Sequence, residues 1–134
     1  MILVDTSVWI EVFRDKSQTK RKALLAALAG DEVVLTRFTQ LELLQGCRDE
    51  REWSLLQSYL DSQDYLEASA TTWEDAARLY FDLRRIGLTV RSPIDCCIAQ
   101  LALKNDLMLF HCDRDFEVIA QARSSFRQLW LKWP

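Results

Sequence analysis

Short apolar runs alternate with amphipathic segments along the whole chain. Each run has the length of one buried strand, and strands are expected at residues 1–4, 32–36, 64–67, 107–110 and 126–131. Between them, apolar residues recur at helical spacing, which predicts helices over residues 6–14, 17–30, 39–46, 49–61, 72–87, from 92 onward, and over 113–121. Strands separated by helices need crossover connections, so the pattern predicts an α/β fold with about five strands in a mainly parallel sheet.

Two of the predicted helices begin with recognisable capping patterns. Thr39 and Glu42 form a T-x-x-E capping box, which predicts that a helix begins at this point. Ser92 and Pro93 are residue types preferred at the N-cap and at the first helical position. Both patterns place an acid, Glu42 or Asp95, in the first turn of its helix.

The composition is that of one ordinary globular domain. Of the 134 residues, 49% are hydrophobic and 28% are charged, so we expect a single domain over residues 1–134. No apolar run has the length that spans a bilayer, and the first residues lack the basic region of a secretory signal; we expect no membrane association and a cytoplasmic location. The four cysteines form no C-x-x-C pair and are expected to be reduced thiols. A net charge of −3 excludes a generally basic nucleic-acid coat, but not a local basic patch assisted by metal ions.

Four acidic residues stand where a parallel sheet gathers its functional groups. Asp5 ends the first strand, Asp113 follows the strand at 107–110, and Glu42 and Asp95 lie in first helical turns. Because the carboxyl ends of parallel strands share one edge of the sheet, these side chains can converge there. Taken singly, each acid also has a structural interpretation, either as an N-cap or as a charge favoured by the helix dipole.

The joint placement of these acids favours a metal site. Carboxylates a few ångströms apart repel one another, and a divalent cation neutralises that repulsion. Ligands that are all oxygen atoms favour Mg²⁺ or Mn²⁺ over Zn²⁺. Such a site can activate water and stabilise charge on a phosphodiester. The spacing of the acids therefore indicates an enzyme that hydrolyses phosphodiester bonds with the help of a metal ion.

Four segments resemble the motifs of the PIN-domain ribonucleases and, within that family, the VapC-type toxins of type II toxin–antitoxin pairs. They carry Asp5, Glu42, Asp95 and Asp113 in the family's order, in VDTSVWIEVF, TQLELLQG, SPIDCCIAQLAL and LFHCDRDFEVIA. The resemblance implies a three-layer α/β/α PIN-like fold and Mg²⁺- or Mn²⁺-dependent endonucleolytic cleavage of RNA. It also implies a homodimer and a small antitoxin partner, of the VapB type, whose tail blocks the active site.

Each of the four acids has an expected role under this resemblance. Asp5 and Asp95 are expected to bind the metal directly, whereas Glu42 and Asp113 bind it directly or through water. Water activated at the metal is the expected nucleophile, so no protein nucleophile is required.

Residues beside the motif acids are candidates for auxiliary roles. Thr6 and Ser7 are expected either to hydrogen-bond a carboxylate or the scissile phosphate, or to cap the helix that they begin. Asp115 is an extra acid, and for it a solvated place in the first helical turn is favoured over a role in the site. His111, the only histidine, stands where many relatives have Thr or Ser; a loop position beside the site is favoured over a general base or phosphate contact.

Some basic and aromatic residues are candidates for contacts with RNA or with partner proteins. Four arginines near the ends of predicted elements are candidate phosphate contacts, namely Arg37, Arg85, Arg91 and Arg114. Trp9 and Phe13 are four residues apart on one helix, where core packing is slightly favoured over a groove for a partner peptide. Trp130 and Trp133 are candidates for an interface.

Three other functions compete with the nuclease. A signalling receiver domain has a similar length and an acidic pocket, but this chain has one acid after its first strand and no clear phosphoacceptor or lysine. A non-catalytic binding module with a PIN-like fold is disfavoured because all four acids are present. A haloacid-type phosphatase would need a second aspartate two residues after Asp5, where this chain has Ser7.

Overall fold

The computed structural model describes residues 1–134, which form five strands and seven helices. The strands are β1 (Ile2–Val4), β2 (Val33–Thr36), β3 (Asp64–Leu66), β4 (Met108–His111) and β5 (Gln128–Trp130). The helices are α1 (Thr6–Arg14), α2 (Thr19–Leu28), α3 (Arg37–Gln45), α4 (Glu50–Asp61), α5 (Thr72–Arg85), α6 (Pro93–Lys104) and α7 (Arg114–Ala120).

The five strands form one sheet in the order β3-β2-β1-β4-β5, and every pairing is parallel. Leu3 of β1 pairs with Val34 on one side and with Leu109 on the other, so β1 is the central strand. The predicted parallel sheet of about five strands is confirmed. The order also excludes a receiver domain, whose order 2-1-3-4-5 places the third strand beside the first.

Helices cover both faces of the sheet and produce the predicted three layers. Because side chains alternate along a strand, Leu3 and Leu109 face one side and pack with residues of α5, α6 and α7. Their neighbours Val4 and Phe110 face the other side and pack with residues of α1, α2, α3 and α4. Burying each such side chain stabilises the fold by roughly 1.5–3 kcal/mol, so these two cores hold the central strands rigidly.

The central strands end side by side at the edge of the sheet that carries the acids. The backbone N–H of Asp5 donates to the carbonyl oxygen of Phe110 at 2.9 Å, which ties the end of β1 to the end of β4. Asp5 is the N-cap of α1 and Asp113 is the N-cap of α7. Ser92 caps α6 and Pro93 occupies its first turn, as predicted.

Helix α3 begins earlier than the sequence predicted. Thr36 is its N-cap, because the extended backbone of that residue (φ −107°, ψ 162°) brings its Oγ1 within 3.3 Å of the Thr39 nitrogen. The capping box predicted at Thr39 and Glu42 is therefore wrong, since Arg37 and Phe38 are already helical. Glu42 lies in the second turn of α3 rather than in the first.

The remaining differences from the predicted elements are small. Helix α2 starts two residues later than expected, β4 extends one residue further, and β5 covers only residues 128–130. All four cysteines are free, as predicted. None of the seven helices combines the length and apolar character needed to cross a membrane.

Candidate metal centre

Five acidic side chains meet at the carboxyl edge of the sheet. Asp5 follows β1, Asp113 follows β4, and Asp95 is the third residue of α6. Carboxylate oxygens of Asp95, Asp113 and Asp115 all lie within 4.8 Å of one another. Asp5 is only 6% exposed, and Glu42 joins the group from α3. The structure therefore brings together all four acids singled out from the sequence, and adds Asp115.

The crowding of these acids changes the protonation of Asp95. Burial raises the pKa of Asp95 from 3.8 to about 8, and the negative charges of the four other acids add to the shift. Burial also raises the pKa of Asp5 and of Glu42. Without a cation, the cluster therefore retains a proton on Asp95 at neutral pH.

The carboxylate of Asp95 makes no hydrogen bond within the protein. Its place at the third position of α6 suits a capping box, and the Ser92 hydroxyl oxygen does accept a hydrogen bond from the Ile94 N–H at 3.1 Å. The reciprocal bond, from the Ser92 N–H to the Asp95 carboxylate, does not form. Both oxygens of Asp95 are consequently available to a ligand.

Asp5 and Glu42 are each held through one oxygen and have the other unbonded. Asp5 Oδ2 accepts hydrogen bonds from the backbone N–H and the hydroxyl of Ser7, at 3.0 and 2.6 Å. Glu42 Oε1 accepts from the Thr6 hydroxyl at 2.9 Å. Thr6 Oγ1 also lies 2.8 Å from Thr39 Oγ1, and because Thr6 has a single proton, Thr39 supplies the proton of that bond. Thr6 and Ser7 thus orient carboxylates.

Arg91 likewise binds one oxygen of Asp113 and one oxygen of Asp115. Its Nη2 lies 2.8 Å from Asp113 Oδ1, while its Nε and its backbone N–H both donate to Asp115 Oδ2 at 3.1 Å. The backbone N–H of Asp115 also donates to Asp113 Oδ1, at 2.9 Å. The second oxygen of each carboxylate has no protein donor. The Arg91 side chain is itself 76% exposed, so it forms the solvent edge of the cluster.

This donor set fits a divalent metal ion. Every carboxyl group in the cluster presents at least one oxygen that the protein does not bond, and hard divalent cations prefer oxygen ligands. Hydrogen bonds to the opposite oxygens orient these carboxylates, as outer-sphere partners do in known metal sites. The raised pKa of Asp95, caused by burial and by the charges of the other acids, agrees with a site that a cation would neutralise.

The structure corrects two of the sequence-based interpretations. Asp115 is not a solvated acid: it is only 7% exposed, and its Oδ2 accepts hydrogen bonds from the backbone N–H and the Nε of Arg91. His111 is not a loop residue: it ends β4 and is fully buried, with its ring centroid 5.1 Å from that of Phe116 and 5.9 Å from that of Trp130. Burial lowers the pKa of His111, which favours the neutral form of its ring.

Sequence reasoning missed Thr39 and Gln128 and did not distinguish Arg91 from the other arginines. The spacing of Thr39 to Glu42 was a signal, but it indicated a helix cap. Gln128 meets His111 only because β4 and β5 pair, and no local pattern reports that pairing. Arg91 stands just before the third motif, yet its contacts with the fourth motif depend on the fold.

The side chains of the other candidate arginines make no hydrogen bond or ion pair with the acidic cluster. Arg37 pairs with Glu67 at 2.9 Å on the exposed surface. Arg85 lies beside the ring of Phe81, 5.6 Å from its centroid. Arg114 makes no ion pair. Arg91 is therefore the one member of the predicted set that reaches the acids.

Trp9 and Phe13 divide between the two roles expected of them. Their rings stack at 5.8 Å, but Trp9 is buried whereas Phe13 is 44% exposed. Phe13 lines a groove of about 590 Å³ between α1, α3 and α4, which reaches Glu42. The apolar lining includes Ile10, Leu43, Leu55, Leu56 and Tyr59.

Comparison with known proteins agrees with this architecture. Residues 2–122 match the family model of the PIN domain. The chain is 33% identical over 124 residues to ribonuclease VapC11 of Mycobacterium tuberculosis, an alignment that covers 90% of this chain and 92% of that protein. It is 30% identical over 118 residues to ribonuclease VapC51 of the same species, covering 88% of this chain and 84% of that protein.

Solved structures share the fold. One is DNA-bound VapBC from Salmonella typhimurium, with a TM-score of 0.77, 21% identity and coverage of 98% of this chain and 100% of that chain. Another is VapBC-1 from nontypeable Haemophilus influenzae, with a TM-score of 0.76, 18% identity and the same coverage. At these identities the likeness shows the fold alone.

Proposed function

The chain belongs to the PIN-domain family, and we propose that it is a metal-dependent endoribonuclease, the toxin of a toxin–antitoxin pair. The observation that carries the proposal is the convergence of five carboxyl groups around Asp95, each with an oxygen that the protein does not bond. Ribonuclease relatives that align over 90% of the chain support RNA as the substrate. The reaction is hydrolysis of RNA phosphodiester bonds.

The proposed metal is Mg²⁺ or Mn²⁺, because all the donors are carboxylate oxygens. We assign Asp5 and Asp95 as direct ligands. Glu42 and Asp113 bind directly or through water, and Asp115 adds negative charge. When bound, the ion supplies activation of water and stabilisation of the charge that develops on the phosphodiester.

The chain's own residues prepare the site for that chemistry. Ser7 fixes Asp5 and Thr6 fixes Glu42, so neither carboxylate has to reorient when substrate binds. Asp95 would have to give up its proton to hold a metal ion, since a protonated carboxyl is a poor ligand and the pKa of this residue is raised to about 8. Arg91 Nη1 makes no hydrogen bond within the protein and lies at the solvent edge of the cluster. We assign it to a phosphate oxygen of the RNA.

The groove between α1, α3 and α4 is the proposed antitoxin site. Its floor is apolar and suits an amphipathic helix laid along it. Arg14 and Arg21 also line the groove and favour acidic residues on that helix. Glu42 lies both in the groove and in the acidic cluster, so a segment seated there would obstruct the site.

RNA cleavage by partner-free protein tests the proposal. A mixed pool of transfer and ribosomal RNA is incubated with Mn²⁺ or Mg²⁺, with and without EDTA. We expect cleavage that EDTA abolishes and that is lost in Asp5→Asn and Asp95→Asn. The matched control is Asp31→Asn, an exposed acid away from the cluster, which should cleave like the unaltered protein.

Folding of each variant is checked by circular dichroism before its activity is compared. Absence of cleavage, together with absence of divalent-metal binding in calorimetry, would overturn the proposal. The alternative would then be a non-catalytic binding module with the same fold.

We further propose that the protein is a homodimer and acts in the cytoplasm, where its proposed substrate and antitoxin are found. Trp130 and Trp133 remain candidates for the dimer interface. Sedimentation of the unaltered protein and of Trp133→Ala tests this, and an unaltered protein that sediments as a monomer would contradict it.

A further inference from the structure

His111 holds the backbone segment that carries Asp113. Its Nδ1 accepts a hydrogen bond from the Asp113 N–H, at 3.1 Å. The preceding amide, that of Cys112, donates to Ser7 Oγ at 2.9 Å, and the Ser7 hydroxyl donates to Asp5 Oδ2 at 2.6 Å. Two successive amides after β4 are therefore held by side chains, one by His111 and the other by the residue that also holds Asp5.

These contacts determine the tautomer of the ring. Because Nδ1 accepts a hydrogen bond from a backbone amide, it carries no proton, so the proton of the ring is on Nε2. The Nε2–H donates to Gln128 Oε1, at 2.5 Å. Gln128 belongs to β5, and the residue after that strand adds a backbone tie, since the Leu131 N–H donates to the His111 carbonyl at 2.9 Å. The ring of His111 is thus bound to β5, and its backbone is bound to Leu131, the residue that follows β5.

The ring of His111 cannot reach solvent or RNA. The residue is fully buried, and the rings of Phe116 and Trp130 flank the imidazole. Both ring nitrogens are bonded within the protein. Any effect on the reaction must therefore pass through the backbone of Asp113.

We propose that His111 is a positioning residue of the acidic site. Gln128 of β5 fixes the orientation of its ring, and the ring in turn fixes the backbone amide of Asp113. The inference rests on the proposed function, because Asp113 is one of the proposed metal ligands. Strand β5 lies beyond residues 2–122, the part that matches the family model. The C-terminal segment therefore braces a site whose ligands all come from the matched region.

The tautomer can be tested directly, because His111 is the only histidine. In metal-free protein labelled with ¹⁵N-histidine, a long-range ¹H–¹⁵N spectrum at pH 7.5 should show one ring, with Nε2 protonated and Nδ1 unprotonated. A proton on Nδ1, or averaging between the two tautomers, would overturn the proposal. This result does not depend on metal binding or on RNA cleavage.

A pair of substitutions separates positioning from packing. His111→Asn retains an acceptor near the place of Nδ1, whereas His111→Leu does not, and both lose the aromatic ring. We expect His111→Leu to weaken Mn²⁺ binding by about tenfold or more in calorimetry, and His111→Asn to regain most of that loss. Their urea midpoints should fall together. Equal losses of Mn²⁺ affinity would show that the ring only fills space, and would overturn the proposal.

Gln128→Met provides the test if the leucine variant does not fold, because it keeps the ring and removes its partner. It should weaken Mn²⁺ binding, whereas the control Gln121→Met, at an exposed glutamine with no side-chain hydrogen bond, should not. An unchanged affinity of Gln128→Met for Mn²⁺ would overturn the proposal that Gln128 positions His111. If the unaltered protein binds no Mn²⁺, the proposed function fails, and the histidine spectrum still reports on the ring contacts.

Discussion

Replacing Asp95 by asparagine should stabilise the metal-free protein and abolish the proposed metal site. The side chain keeps its shape but loses the charge that the four neighbouring acids disfavour. Burial and the neighbouring acids raise the pKa of Asp95 to about 8 in the folded protein, whereas its pKa in the unfolded chain is about 4. Between these values the folded state binds one more proton, so its stability falls as the pH rises. Asparagine does not titrate and escapes that loss.

The size of the effect follows from the position of Asp95. A rise in pKa from 3.8 to about 8 sets a ceiling of about 6 kcal/mol, at about 1.4 kcal/mol for each pH unit. The residue is partly exposed, and screening by water reduces this to about 1–3 kcal/mol. The substitution also removes a negative charge from the first turn of α6, where the helix dipole favours it, and this lowers the gain in stability by about 0.3–1 kcal/mol. The net gain at pH 8 is therefore about 0–3 kcal/mol, with a middle value of about 1.5 kcal/mol, which corresponds to about 6 °C in Tm.

Thermal unfolding in EDTA at pH 5, 6.5 and 8 measures this gain. The advantage of Asp95→Asn should be small at pH 5 and largest at pH 8, whereas Asp31→Asn should match the unaltered protein throughout. In saturating Mn²⁺ the unaltered protein should have the higher Tm, because the ion stabilises only the protein that binds it. A variant that is less stable than the unaltered protein at pH 8, or an advantage independent of pH, would refute the reasoning.

The hydrogen bonds and charges of the acidic cluster, and the groove beside it, should also respond to pH and to single substitutions. Raising the pH from 6 to 7 should tighten Mn²⁺ binding about tenfold in calorimetry, because the metal displaces the proton of Asp95, and pH-independent binding would contradict this. Thr6→Val should lower the free energy of unfolding in urea by about 1–3 kcal/mol, since Glu42 loses its donor, whereas Thr6→Ser should retain most of it. Arg91→Met should lower the Tm more in EDTA than in saturating Mn²⁺, where the ion replaces its charge; equal losses would speak against that role. Phe13→Asp should weaken antitoxin binding in a pull-down and preserve RNA cleavage, and a joint loss of both would argue against separate surfaces.

The positions of the acids could be predicted because they depend on local features. Asp5 and Asp113 follow short apolar runs, and such runs form buried strands whose carboxyl ends share one edge. Asp95 follows a Ser-Pro pair that begins a helix. From these features and the alternation of strands and helices, the parallel sheet and the meeting of the acids were both predictable.

The remaining parts of the site depend on contacts between distant residues. Asp115 is buried and accepts hydrogen bonds from Arg91, which lies 24 positions earlier in the chain. His111 is enclosed because β5 pairs with β4 and supplies Gln128. The early start of α3 is the one local exception: Thr36 caps the helix through the N–H of Thr39, three residues later, and the T-x-x-E pattern obscured that cap. None of these contacts follows from periodicity or composition.

Anomalous diffraction from crystals grown with Mn²⁺ tests the central claim most directly. The account predicts a strong anomalous peak bounded by Asp95 and by the unbonded oxygens of Asp5 and Asp113, and no such peak in Asp95→Asn crystals grown in the same way. A protein that cleaves RNA but shows no peak among these carboxylates, or shows its metal only elsewhere, would contradict the account.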